Sequence, residues 1–257
     1  LGSDHTRLSK RHGATSIKNL MDMGILPEAL VNYLALLGWA PAEGQSEILP
    51  IEQLIQSFDL RHVSKSPAVF DLTKLYWINR HYLTSSSPAR IVELVIPYLQ
   101  QSGLLGELDG RLREWIPKLT DAFLGGVDHL SEFPAKVSLI FEFDPKKSLE
   151  VQSVKEVIGT EGAREVIQAL HNELASRAGR VVENWKLIVA GVKTKSGRKG
   201  KLLFHPIRVA LTGTESGPEL DKLVPIIEEG SRLSLPKPVQ NCQDRVSSFL
   251  AAIDSLS

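Results

Sequence analysis

The sequence predicts a mainly α-helical protein, and three observations carry that prediction. Apolar residues recur at three- and four-residue spacing along most of the 257 residues. Helix boundaries are marked by small polar caps, by prolines in first turns and by glycines just past last turns. Alternation of the strand type is confined to one stretch. The length suits one large domain or two medium ones.

The elements follow in chain order. A helix-like stretch runs from Thr15 to Met23. Leu26 to Gly38 carries Leu30, Tyr33, Leu34 and Leu37 at helical spacing, with Pro27 in the first turn and Gly38 as the stop. Pro50 to Phe58 repeats the pattern with Ile51, Leu54, Ile55 and Phe58. Asp71 is placed to cap a helix bearing Leu72, Leu75, Tyr76, Ile78 and Asn79. Thr84-Ser85-Ser86-Ser87-Pro88 is the clearest break, and Ser87-Pro88 starts a helix through Gln101 that Pro97 should bend or interrupt. Leu108 to Phe123 (Leu112, Trp115, Ile116, Leu119) is the next helix, and Gly125-Gly126 a loop. Lys136 to Phe143 alternates as a strand would, but a lone strand cannot satisfy its backbone, so it is assigned to helix. Further helices cover Gly162 to Arg177, a stretch opened by Ser216-Gly217-Pro218-Glu219, and Asn241 to Leu256. Each tryptophan (Trp39, Trp77, Trp115, Trp185) lies at or beside a helical apolar face and is assigned to the core.

Thirty basic residues balance thirty acidic ones, so the formal net charge is zero. The balance is a cancellation. Residues 1–20 and 184–214 together carry +10, and the rest carries −10. Two segregated basic segments can engage phosphates locally whatever the total charge. An apolar content of 42% excludes global disorder, and no apolar run reaches membrane-spanning length. The single cysteine, Cys242, excludes an internal disulfide framework and fits a reducing compartment. No G-x-x-x-x-G-K-[ST] loop and no histidine pair at metal-ligand spacing is present, so no metal site is expected. The opening Leu1-Gly2-Ser3-Asp4-His5 has no methionine and no signal core, which predicts a fragment whose beginning lies inside a larger protein.

One segment carries chemistry. In Arg7-Leu8-Ser9-Lys10-Arg11-His12-Gly13, basic side chains flank a small hydroxyl residue. A loop bearing Lys10 in this setting can reach over a bound triphosphate and offset the charge that grows on phosphate oxygens during nucleotidyl transfer. Arg7 and Arg11 add field, and Ser9 can donate a hydrogen bond.

This segment resembles the K-M-S-K-S signature of class I aminoacyl-tRNA synthetases, in the K-L-S-K-R-H-G form of bacterial-type glutamyl-tRNA synthetases. The likeness continues in family order through Leu26-Pro27-Glu28-Ala29-Leu30, Asn32 to Trp39, Phe70-Asp71-Leu72, Trp77-Ile78-Asn79, Glu132-Phe133-Pro134, Gly200 to Gly213 and Gly217-Pro218-Glu219-Leu220. It implies a helical stem-contact region over residues 1–87, including the signature loop, followed by a helical anticodon-binding bundle over 88–257. The H-I-G-H-type motif of the family's Rossmann half is absent from the chain. The family joins glutamate to tRNA(Glu) with ATP and Mg, through a glutamyl-adenylate. The resemblance therefore implies a part that binds tRNA without charging it and holds no cofactor of its own, from a cytoplasmic, monomeric enzyme that makes no membrane contact.

The resemblance makes Lys10 the catalytic, phosphate-contacting lysine and Arg7, Ser9, Lys10 and Arg11 the ATP-contacting set. Arg7 stands where the family usually has lysine. Lys193, Lys195, Arg198, Lys199, Lys201 and Arg208 are the candidate tRNA contacts, with Arg208 equally placed to brace the bundle. Some family members carry an arginine shortly before Glu-Phe-Pro that rejects glutamine tRNA. Gly126 lies there in this chain, which adds tRNA(Gln) as a second partner. The alternative reading is a non-catalytic helical RNA-binding or scaffold module, and the Lys10 loop favours the ligase.

Overall fold

The computed structural model describes residues 1–2, 6 and 16–255. Among these the chain is helical throughout, with fourteen α-helices and no strand. It divides into two compact units, one of residues 1–98 and 123–136, the other of residues 99–122 and 137–257.

The first unit is built on α1 (Ile17–Asp22), α2 (Pro27–Leu36), α3 (Ile51–Ser57), α4 (Leu72–Ser85) and most of α5 (Pro88–Gln101). The expected caps are in place. The Ser16 hydroxyl accepts from the Asn19 N–H, and the Asp71 carboxylate accepts from the N–H groups of Thr73 and Lys74 at 2.8 and 3.2 Å. A cap of this kind stabilises a helix by about 1 kcal/mol. Helices α2 and α4 pack together through Ala29, Leu30 and Tyr33 against Leu75, Ile78 and Leu83, all buried. Two fully buried asparagines tie loops to this pair. Asn79 accepts from the Leu26 N–H and donates to the Asp128 carbonyl. Asn32 donates to the Glu47 carbonyl and accepts from the Leu49 N–H. A satellite core of Trp39, Leu49 and Leu54 sits beside them. Gly24 is forced by geometry: at φ 81° a Cβ would stand 2.5 Å from the Leu130 Cβ.

The second unit holds most of α6 (Gly110–Phe123), part of α7 (Phe133–Phe141), α8 (Pro145–Ser148), α9 (Gln152–Ile158), α10 (Ala163–Ser176), α11 (Val181–Ser196), α12 (Lys201–Thr212), α13 (Leu220–Gly230) and α14 (Cys242–Asp254). Helix α10 is central and packs on α11, α12 and α14. The Trp115 indole is buried and donates to the Ile226 carbonyl at 2.9 Å. The stretch that alternates as a strand is helix α7, because Phe133, Val137, Ile140 and Phe141 also fall on one helical face and are buried. The tail beyond Leu235 packs into the bundle as α14, against α8, α10, α12 and α13.

Two expectations need correction. Trp77 is not core: it is 52% exposed, because Leu75, Ile78, Asn79 and Leu83 define the inward face of α4 and Trp77 points the other way. Of the two effects expected of Pro97, bending or interruption, interruption does not occur, because α5 continues to Gln101. The apolar face of that helix (Ile91, Val92, Val95, Ile96, Leu99) is buried, and this burial outweighs the lost hydrogen bond of about 3 kcal/mol.

Candidate nucleic-acid interface

The basic stretch forms α11, a short turn and α12. Val181, Trp185, Ile188 and Val192 recur at helical spacing and bury one face of α11. Its lysines therefore point to solvent, and Lys193 and Lys195 lie in its last turn, where cations complement the helix dipole. Gly197 ends the helix in the left-handed region at φ 66°, with its N–H on the Lys193 carbonyl. Gly200, at φ 58°, then starts α12. Having no side chain, Gly200 cannot cap the first-turn amides, and no acidic residue lies in that turn. The start of α12 thus combines the positive end of a helix dipole with Lys199 and Lys201, both exposed.

The six candidate tRNA contacts are not equivalent. Lys193, Lys199 and Lys201 are exposed, and none has an ion-pair partner among the described residues. Lys195 pairs at 2.7 Å with Glu173, a buried carboxylate on α10 that Arg177 also contacts. Those cations, the Lys195 hydrogen bond foremost, hold the Glu173 carboxyl below its ordinary value against the opposing effect of burial. Gly191 makes the approach possible, since a Cβ there would stand 2.4 Å from the Glu173 carboxyl carbon. Arg198 is half-buried, pairs with Glu161 at 3.0 Å, and lies against Gly162, where a Cβ would meet its guanidinium at 2.3 Å. Arg208 is half-buried and donates to the Pro218 carbonyl at 2.6 Å, and burial lowers its pKa.

Arg7, Ser9, Lys10 and Arg11 lie outside the described residues. Gly126 lies in a 3-10 turn, Leu124–Gly126, and a Cβ there would meet no atom within 4 Å. The sequence reading missed the helical character of residues 181–196 and 201–212 and the exposed apolar side chains on them. Leu187, Leu202 and Phe204 are all exposed beside the lysines. The signal was available in the spacing of Val181, Trp185, Ile188 and Val192, interleaved with charge.

Among the described residues no group of His, Cys, Asp or Glu could hold a metal ion, and no helix is long and apolar enough to cross a membrane.

Residues 90–232, more than half the chain, match the model of the anticodon-binding domain. The chain belongs to the anticodon-binding domain family. Residues 1–77 match the catalytic-domain model of class I tRNA synthetases (E and Q). Relatives of this chain are glutamate–tRNA ligases. It is 39% identical over 231 residues to the enzyme of Desulforamulus reducens and 39% over 229 residues to that of Carboxydothermus hydrogenoformans, in each case with 88% of this chain and 47% of the relative covered. The chain thus spans just under half the length of these curated relatives, and corresponds to their C-terminal half. Its fold is shared with the crystal structure of a glutamate tRNA ligase from Elizabethkingia meningosepticum in complex with its amino acid, at a TM-score of 0.72 and 22% identity over 96% of this chain and 48% of that one.

Proposed function

We propose that this chain is the tRNA-holding part of a glutamate–tRNA ligase, which joins glutamate to tRNA(Glu) with ATP and Mg through a glutamyl-adenylate. Residues 1–87 form the stem-contact region with the signature loop, and residues 88–257 form the anticodon-binding region. By themselves they bind tRNA without charging it, and hold no cofactor. The parent enzyme works in the cytoplasm as a monomer.

The observation that carries this reading is the cationic turn between α11 and α12. Lys193, Lys199 and Lys201, without an ion-pair partner among the described residues, flank the turn into a helix whose first-turn amides no side chain caps. Lysines and first-turn amides both suit phosphate oxygens. The exposed Phe204 ring, on the same helix, suits an unstacked anticodon base. Lys195 and Arg198 act mainly within the bundle, through Glu173 and Glu161. Arg208 braces the chain leading into α13 by holding the Pro218 carbonyl, which leaves guanidinium donors over for a phosphate. In the signature loop, Lys10 offsets charge on the ATP phosphates, with Arg7, Ser9 and Arg11 beside it. The match of residues 1–77 to a catalytic domain favours this reading over a scaffold.

The test is binding of purified tRNA(Glu) against the same tRNA with a substituted anticodon. Tighter binding of the unaltered tRNA supports the reading; equal binding of both overturns the anticodon-arm assignment. For tRNA(Gln), Gly126 offers open space and no cation, so the enzyme accepts both tRNAs. A Gly126→Arg variant should then bind tRNA(Gln) less well than the parent chain, and rejection of tRNA(Gln) by the parent chain itself would end the dual-partner reading.

A further inference from the structure

We propose that Arg245, on the C-terminal helix α14, is a positioning residue for α12 and through it for the tRNA-facing cations Lys201 and Arg208. The inference rests on the tRNA-binding reading above. Arg245 is fully buried, yet no carboxylate pairs with it among the described residues. Its guanidinium donates to backbone carbonyls instead: Gln240 at 2.9 Å, Leu139 at 3.0 Å, Leu211 at 2.9 Å, and Ile140. Leu139 and Ile140 lie in the last turn of α7, and Leu211 in the last turn of α12. Carbonyls at a helix C-terminus lack intrahelical partners and carry the negative end of the dipole. One buried cation therefore serves as a shared C-terminal cap for two helices that are far apart in sequence. The Phe143 ring lies 4.9 Å away and adds a cation–π contact.

Burial lowers the Arg245 pKa to about 10, which leaves the group charged at neutral pH. Its own helix is anchored independently: the Cys242 N–H donates to the buried Glu228 carboxylate of α13 at 2.9 Å, and Asn241 caps the Asp244 N–H. With α14 fixed, the donors of Arg245 set where α12 ends and how it is rotated. Lys201 opens that helix and Arg208 lies one turn before Leu211. A hydrophobic side chain of the same volume could fill the site, and burying an ion is often no more stabilising than that. The directional contacts specify register, which packing alone does not.

The test uses the full 257-residue chain with Arg245→Met and Arg245→Lys. Each variant is first shown by urea unfolding to be folded under the assay conditions. Arg245→Met should bind tRNA(Glu) about tenfold more weakly, as expected for ångström-scale misplacement of contacts. The slope of log affinity against log salt should stay unchanged, because no phosphate contact is deleted. Amide exchange at the end of α12 should quicken, and Arg245→Lys should recover part of both effects. Parental affinity and parental exchange in folded Arg245→Met overturn the proposal. A flattened salt slope also overturns it, because it would mean that Arg245 touches the RNA. If Arg245→Met does not fold, Arg245→Lys decides alone: weaker binding with an unchanged slope supports positioning, and unaltered binding refutes it. If the parent chain binds no tRNA, the underlying reading fails, and exchange at α12 still reports whether Arg245 holds that helix.

Discussion

The split among the basic residues of α11 and α12 leads to a quantitative prediction about salt. Lys193, Lys199 and Lys201 have no intramolecular ion pair among the described residues, whereas Lys195 and Arg198 do. Each phosphate contact contributes about 0.7 to the slope of log affinity against log salt for single-stranded segments and about 0.9 for duplex. Replacing the three free lysines by alanine should therefore lower the slope by about 2, which means a roughly 20-fold smaller loss of affinity between about 50 and 200 mM salt. The pair Lys195→Ala and Arg198→Ala should leave the slope nearly unchanged and act on folding. Loss of Lys195 leaves the buried Glu173 with Arg177 alone, a cost of about 1–2 kcal/mol. The Arg198 pair contributes little, because Glu161 is almost fully exposed. Fluorescence anisotropy with labelled tRNA across a salt series, alongside urea unfolding, reads both quantities. Equal flattening by the two sets would refute the division between free and committed cations.

Gly191→Ala tests the Glu173 cluster by sign. Helix propensity alone predicts a gain of about 1 kcal/mol. The new methyl would collide with the Glu173 carboxyl group, so net destabilisation is expected in urea unfolding, and a stabilised variant would contradict the described packing. The pH dependence is also fixed in sign. The Glu173 carboxyl is held below its ordinary value of 4.5, so its contribution is complete above that pH and is lost as pH falls through the lower folded value. Thermal melts from neutral to acid pH should show Glu173→Gln less stable than the parent at neutral pH, with the gap closing below pH 4.5. A gap that does not change with pH would rule out the charged pair as the cause.

Much of the fold was legible in the sequence, and most of what was not depends on contacts between residues distant in the chain. Asp71, Ser16 and the helices around Leu30, Trp115 and Leu170 follow local rules of capping and periodicity, and these held. In Lys136 to Phe143 the apolar residues satisfy both periods, and the lack of a pairing strand decides for helix. Arg245 could not be read from sequence. Its burial depends on carbonyl groups 106 residues away on α7 and 34 residues away on α12. Likewise the basic run from 184 to 214 looked uniform, and only the positions of Glu173 and Glu161 separate Lys195 and Arg198 from Lys199 and Lys201. Trp77 is a different, local case. A tryptophan next to an apolar residue is a core candidate by composition, and helix phase decides otherwise. The signature loop gave the reverse case: Lys10 was read from motif alone and lies outside the described residues.

The proposed grip on the anticodon arm of the tRNA runs through the turn between α11 and α12. Hydroxyl-radical footprinting of tRNA(Glu) with the full chain tests it most directly. The parent chain should protect the anticodon arm, and that protection should be lost when Lys193, Lys199 and Lys201 are replaced by alanine. An unprotected anticodon arm, or protection that survives the triple replacement, would contradict it.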